Sequence, residues 1–155
     1  MSQGMTRTYK LLIGLEDIAE KNETIVSYIN LYEKLPDKKG ITYEEDGETY
    51  IYLQKDMEER TEVMVFAEET GHVYKGICHA WTLPGLARLY EEQARDWSAM
   101  YRVPHREYKL AMLDPHIKSD YDMAEALEVE VDAIERARRR YIAMGMDVWR
   151  SDELW

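Results

Sequence analysis

Residues 63–81 read VMVFAEETGHVYKGICHAW, and the way this stretch folds decides how its neighbours are read. At ~100° per residue on a helix, Val63, Phe66, Ala67, Thr70, Val73, Tyr74 and Ile77 fall on one broad face. An apolar face of that width belongs to a core. Glu68, His72 and His79 gather in a narrow arc opposite, bordered by Glu69 and Gly76. The pattern predicts a helix over 58–79. A polar arc is also what any amphipathic helix turns to water, so spacing alone leaves two readings of these residues open: a solvated face or a site.

Positions i and i+4 of a helix lie one above the other, so Glu68 and His72 can reach a single ion. An HExxH helix uses this geometry, with two ligands on one turn and the intervening Glu activating water. Here Glu68 stands where the first His would, Glu69 follows it, and His72 closes the motif. His79 lies seven residues further, about 10 Å along a straight helix. It reaches the same ion only if the helix ends at Gly76, where glycine tolerates a left-handed cap, so it is a second-line ligand. A third ligand is sought on the next helix, LARLYEEQARDWSAMY (residues 86–101). Leu86, Tyr90, Gln93, Ala94, Trp97 and Tyr101 form its expected inward face. Glu91 lies on the edge of that face and Glu92 points outward, which favours Glu91.

Working outward, residues 8–20 and 23–34 read as two helices. In the second, Ile25, Tyr28, Ile29 and Tyr32 recur at helical spacing and Leu35-Pro36 ends the run. ITYEEDGETYIYLQ (residues 41–54) has two β-rich runs around Asp46-Gly47, a dipeptide favoured in tight hairpins. Tyr50, Tyr52 and Gln54 alternate with Ile51 and Leu53, so the second run is half-buried. After breaks at 80–85 and at Val103-Pro104, a short helix is expected over about 105–113. DYDMAEALEV and DAIERARRRYIAMG then read as two helices joined by a turn. Helices around one small hairpin give an α+β class.

The 155 residues suggest a single domain over 1–155, with a core over about 25–115, a helical pair over about 116–145 and a tail over 146–155. Hydrophobic residues make up 45% and charged residues 33%, and the 12 Tyr and 4 Trp argue against disorder. No apolar run approaches the ~20 residues of a membrane span, and the start lacks a signal peptide's apolar segment. The single cysteine, Cys78, cannot form an internal disulfide, which fits a reducing cytoplasm. A net charge of −11 disfavours nucleic acid as a partner. Residues 120–144 do scan like a helix-turn-helix, with Ala124, Leu127, Val129 and Ile134 at core positions. Its second helix, however, begins with Glu130 and Asp132, which phosphates repel.

Four segments in order resemble the ImmA/IrrE-type metallopeptidases, in particular their small phage and mobile-element branch. They are the hairpin GITYEEDGETYIYLQKDM, the run VMVFAEETGH (similar to the branch's LAEELGH), the helix YEEQARDWSAMYRVP with its A-R-x-W core, and the closing YDMAEALEVEVDAIERARRRY. The resemblance covers roughly residues 25–145. It implies a minimal zincin-like fold, a bound zinc, and cleavage of a helix-turn-helix repressor-type protein. Carried over by motif, Glu68 and His72 take ligand positions, Glu69 the general-base position, and Glu91 lies near the third-ligand position. Val73 stands where many members of the branch have a second His, and Ser98 where they have Ala.

With Glu68, His72 and Glu91 as ligands, two carboxylates formally neutralise a divalent ion. The ion becomes a weaker Lewis acid, and preference tilts from zinc towards harder ions such as manganese. The expectation is therefore a metal-dependent regulatory endopeptidase of low intrinsic activity. The alternative is a catalytically weak or inactive zincin-fold module that binds a regulatory partner.

Overall fold

The computed structural model describes residues 4–79 and 81–148. Among them the chain is α+β, with six α-helices and a three-stranded sheet. The elements are α1 (Arg7–Lys21), β1 (Thr24–Ile29), a 3-10 turn (Leu31–Glu33), β2 (Gly40–Glu45), β3 (Glu48–Gln54), α2 (Glu59–Lys75), α3 (Pro84–Arg102), α4 (His105–Leu113), α5 (Asp120–Leu127) and α6 (Val131–Ala143). Of the expected tail over 146–155, residues 149–155 lie outside the described residues. The chain divides into two compact units, Met1–Arg95 and Asp96–Trp155, and α3 runs through the division.

In the first unit the sheet order is β1-β3-β2, with β1 parallel and β2 antiparallel to β3. The Asp46-Gly47 hairpin forms as expected. Both residues take positive φ (52° and 79°), the conformation a two-residue primed turn requires. Register then follows, from Glu45 opposite Glu48 to Gly40 opposite Leu53. Ile51 and Leu53 are buried, while Tyr50 and Tyr52 on the other face join Tyr43 in a ladder of rings 5.6–6.4 Å apart. Helices α1 and α2 pack on each other and on the sheet. Leu15 and Phe66 are fully buried there, and each such side chain stabilises by about 1.5–3 kcal/mol relative to exposure. Thr6 caps α1 by accepting from the Tyr9 amide at 3.1 Å.

The segment expected as a helix over 23–34 is instead the strand β1. Thr24, Ile25 and Val26 are three successive β-branched residues, which lose rotamer freedom in a helix and fit a pleated strand. Glu23 at φ 54° reverses the chain directly after α1. β1 lies at an edge with Ile25 and Tyr28 largely exposed, so the period-2 burial that would have identified it is blurred. Helix α2 stops at Lys75 rather than 79. Tyr74, expected in the core, is 48% exposed, and its hydroxyl accepts from Asn22 Nδ2 at 2.9 Å.

The second unit is helical, built on Val103, Tyr108, Met123, Ile134 and the small residues Ala99, Ala133 and Ala137. Ala124, Leu127, Val129 and Ile134 are buried as their spacing predicts. Glu128 supplies the left-handed cap between α5 and α6. Two arginines of α6 are tied to carboxylates: Arg136 to Asp96 and Asp132, and Arg138 to Asp120, with a further bond to the Tyr108 hydroxyl. Tyr101 stacks on Trp97, and His105 meets the Tyr141 ring edge-on.

Arg102 is 3% exposed and donates to both oxygens of Glu130, at 2.6 and 2.9 Å, while its Nε donates to Ser98 Oγ at 3.1 Å. This gives Ser98, fully buried where the family resemblance has Ala, a structural reason. Burial raises the Glu130 carboxyl, but the two hydrogen bonds from Arg102 outweigh it and hold the group below its ordinary 4.5. A carboxylate lowered in the fold stabilises it above the unfolded value, and this is lost as pH falls through the folded value. Glu130→Gln should cost about 2 kcal/mol near pH 7, a figure reduced from that of a fully buried pair by the exposure of Glu130. The cost should shrink steadily below pH 4.5. Urea denaturation of both proteins at pH 7 and pH 3 checks this; an equal cost at both would remove the ion pair from the account.

Candidate functional site

Helix α2 is buried on two sides. Val63, Phe66, Ala67 and Thr70 meet the core as their spacing predicts. Val65, Gly71 and His72 are buried as well. Gly71 is buried where α3 crosses. A Cβ there would lie 2.6 Å from the Ala94 carbonyl oxygen and 2.9 Å from the Ala94 Cα. The α2 and α3 backbones thus touch at Gly71 and Ala94, closer than any side chain allows. Glu91 lies three residues before Ala94, and His72 follows Gly71. The crossing sets Glu91 Oε1 3.1 Å from His72 Nε2.

The buried face of α3 includes Ala94, as expected, but is completed by Ser98, Ala99 and Arg102 rather than by Tyr90, Trp97 and Tyr101, and Leu86 is 40% exposed. On this re-centred face Glu91 is in line rather than on the edge. Glu92 is exposed, as the wheel predicts.

The His72 ring is 6% exposed, and its Nδ1 lies 2.9 Å from the Gly76 carbonyl oxygen. A carbonyl only accepts, so Nδ1 carries the proton and Nε2 of the neutral ring presents its lone pair. That lone pair faces the Glu91 carboxylate. Two acceptors this close require a cation: a proton on Nε2 or a metal ion between them. The proton affinities agree. Burial lowers that of His72, but the hydrogen bonds to Glu91 and Gly76 prevail and raise it above 6.5. The hydrogen bond from His72 lowers Glu91 below 4.5.

Glu69 sits on the same wall. Gly40 lets β2 approach α2 here, since a Cβ on Gly40 would meet Val65 Cγ1 at 2.7 Å and Glu69 Cγ at 2.9 Å. Thr42, one strand repeat on, donates from Oγ1 to Glu69 Oε2 at 2.6 Å. Burial raises the Glu69 carboxyl above 4.5, against the Thr42 hydrogen bond and the nearby His72. Glu68, Glu69, His72 and Glu91 line one cavity of about 440 Å³, with Lys38 and Arg95 among its basic lining residues. All four residues singled out in the sequence as principal ligands or base thus line this cavity.

Two residues here were not anticipated. Among the described residues, the ligand-type atoms that lie within 4.8 Å of one another belong to His72, Glu91 and Cys78. Cys78, not His79, is what the turn at Gly76 returns to the helix. His79 stacks on the Trp81 ring, with centroids 4.5 Å apart, and its amide donates to Thr82 Oγ1 at 2.8 Å. Thr42 is the other. A G-x-C step after the motif and a Thr on the β2 strand were the only signals, and neither is specific. Burial, then Glu91, raises the Cys78 thiol above 9, so alone it is a neutral thiol. An imidazole, a carboxylate and a thiol on one cavity wall are a donor set that suits zinc.

Comparison of the chain with protein-family models, with curated proteins and with solved structures finds no match. No helix among the described residues is long and apolar enough to cross a membrane.

Gly71→Ala separates two effects of opposite sign. Helix propensity alone would stabilise by up to ~1 kcal/mol. The collision with the Ala94 backbone should reverse this and destabilise by about 1–3 kcal/mol. Thermal denaturation reads the sign, and a stabilised variant would contradict the close crossing.

Proposed function

We propose that the chain is a metal-dependent regulatory endopeptidase with a minimal zincin-like core, of the ImmA/IrrE-like phage or mobile-element type, which cleaves a helix-turn-helix repressor-type protein in the cytoplasm. One observation carries the reading: the buried His72, its Nδ1 fixed by the Gly76 carbonyl, meets Glu91 from another helix at 3.1 Å, with Glu69 on the same cavity wall. Orienting a histidine through a backbone carbonyl is a common support for a metal ligand. The four ordered segments of family resemblance add to it.

His72, Glu91 and Glu68 are the residues that would hold the ion, zinc or another divalent metal such as manganese. When bound, it supplies a Lewis acid and a water of lowered pKa. The chain's own groups do the rest. Glu69 takes the proton of the attacking water and returns it to the leaving amine. Thr42 holds the Glu69 carboxylate from the sheet side. Among the described residues β2 is an edge strand with β3 on one side only, and Gly40, Ile41 and Thr42 line the cavity. An extended peptide laid along β2 would bring a carbonyl to the acidic wall, with main-chain pairing as the affinity and side-chain pockets as the selectivity.

A second reading, a weak or inactive zincin-fold module binding a regulatory partner, is favoured by the 2.6 Å Thr42–Glu69 hydrogen bond. A carboxylate that already accepts a short hydrogen bond is a poorer base.

Metal content by mass spectrometry, in untagged wild type and His72→Ala, separates metalloprotein from bare fold. Stoichiometric metal is expected in the wild type and its loss in the variant. Glu69→Gln should keep the metal while slowing cleavage of a repressor substrate by about 10²–10⁴-fold. Metal retained with no cleavage by the wild type would favour the partner-binding module. No metal in either protein, after incubation with zinc or manganese, would end the peptidase reading.

A further inference from the structure

Gly76 takes φ 141°, where side chains rarely fit, and a Cβ there would strike the Tyr90 ring at 2.9 Å. The chain can turn back against α3 at this point only because the residue is glycine. Two residues on, the Cys78 Sγ lies beside the ligand atoms of His72 and Glu91, each within 4.8 Å of the others. Donors bound to one tetrahedral ion at ~2.0–2.3 Å stand roughly 3.3–3.8 Å apart. The His72–Glu91 separation of 3.1 Å is already near this spacing. Cys78 is exposed, and its thiol donates a long hydrogen bond to the Ala87 carbonyl at 3.6 Å, a weak hold against swinging inward. The His72 ring, 6% exposed with its other nitrogen held by Gly76, directs Nε2 into this group.

We propose that Cys78 is a metal ligand, joining His72 and Glu91 through a thiolate. The inference rests on the metal of the proposed function but not on proteolysis. The S–H proton leaves to solvent as the sulfur–metal bond forms, so binding releases one proton from Cys78. A soft thiolate selects zinc over magnesium or manganese, opposing the tilt that an extra carboxylate imposes. Glu68 lines the same cavity but lies outside this three-residue cluster; three protein donors would leave a fourth position for water or substrate, the mark of a catalytic rather than a structural site.

Cobalt(II) is the probe, since it takes zinc sites and absorbs visibly. Cys78 is the chain's single cysteine, so a near-ultraviolet thiolate-to-cobalt band can arise only from it. The wild type titrated with cobalt should show that band together with the weaker visible bands. Cys78→Ser should keep the visible bands and lose the other. Zinc should slow alkylation of wild-type Cys78 by iodoacetamide at least tenfold, and should not do so in His72→Ala. Visible cobalt bands in the wild type without the charge-transfer band, or alkylation indifferent to zinc, would remove Cys78 from the site and leave the metal held by His72 and Glu91 standing. No cobalt absorption at all would overturn the metal reading and this inference with it.

Discussion

The contact between the α2 and α3 backbones at Gly71 and Ala94 is the constraint on which the site depends. With a Cβ there, the helices would stand apart and Glu91 would not reach His72. Gly40 does the same on the opposite flank of α2, where it admits β2 and lets Thr42 reach Glu69. Gly76 is the third such position, at the helix end, and returns Cys78. Three glycines, on two flanks and the end of one helix, therefore gather groups from four segments of the chain around a buried imidazole. Each forgoes a side chain's packing and, in Gly71, some helix propensity.

That proximity is electrostatically costly. Glu68, Glu69 and Glu91 crowd one imidazole in a cavity of about 440 Å³, within a chain of net charge −11. Carboxylates brought together out of water disfavour one another's ionisation. Glu69 is raised by burial and by Glu91 and Glu68, whereas Glu91 is lowered by His72. Neighbouring carboxyls pushed in opposite directions suit different tasks, one to carry a proton and one to stay charged. Lys38 and Arg95 in the lining moderate the negative potential without filling the centre.

Much of this architecture was legible in the sequence. Asp46-Gly47 announced its turn because few dipeptides accept two positive φ values. The α5–α6 pair was readable from Ala124, Leu127, Val129 and Ile134, since both faces there are unambiguous. β1 was not. Its Ile25, Tyr28 and Ile29 fall at helical intervals, and an edge strand exposed on both sides gives no alternation to contradict them. On α3 the apolar residues misled in another way. Large side chains such as Leu86, Trp97 and Tyr101 drew the inferred face around the helix, which shares Ala94 with the true seam but leaves out Ser98 and Ala99, small residues with weak hydropathy. Glu91 still stood out, because it lies near both. The Cys78 and Thr42 contacts were beyond reach, as each depends on how closely a glycine lets two backbones approach.

The central place of β3 has a bearing on how safely the chain reaches its fold. Residues 49–54, TYIYLQ, carry no charge and are rich in β-formers, the composition of segments that stack into cross-β fibrils. In the sheet both edges of this segment are covered, by β1 and β2. The coverings arrive at different times. The β2–β3 hairpin closes through a two-residue turn, an event of about 1–10 μs. β1 pairs in parallel with residues far along the chain, as Thr24 does with Thr49, and must wait for a larger loop to close. Until it docks, one edge of the most aggregation-prone strand is bare, with Glu48, Lys55 and Asp56 flanking it as charged guards. β1, the strand the sequence disguised as a helix, is thus also the piece that shields β3 from other chains.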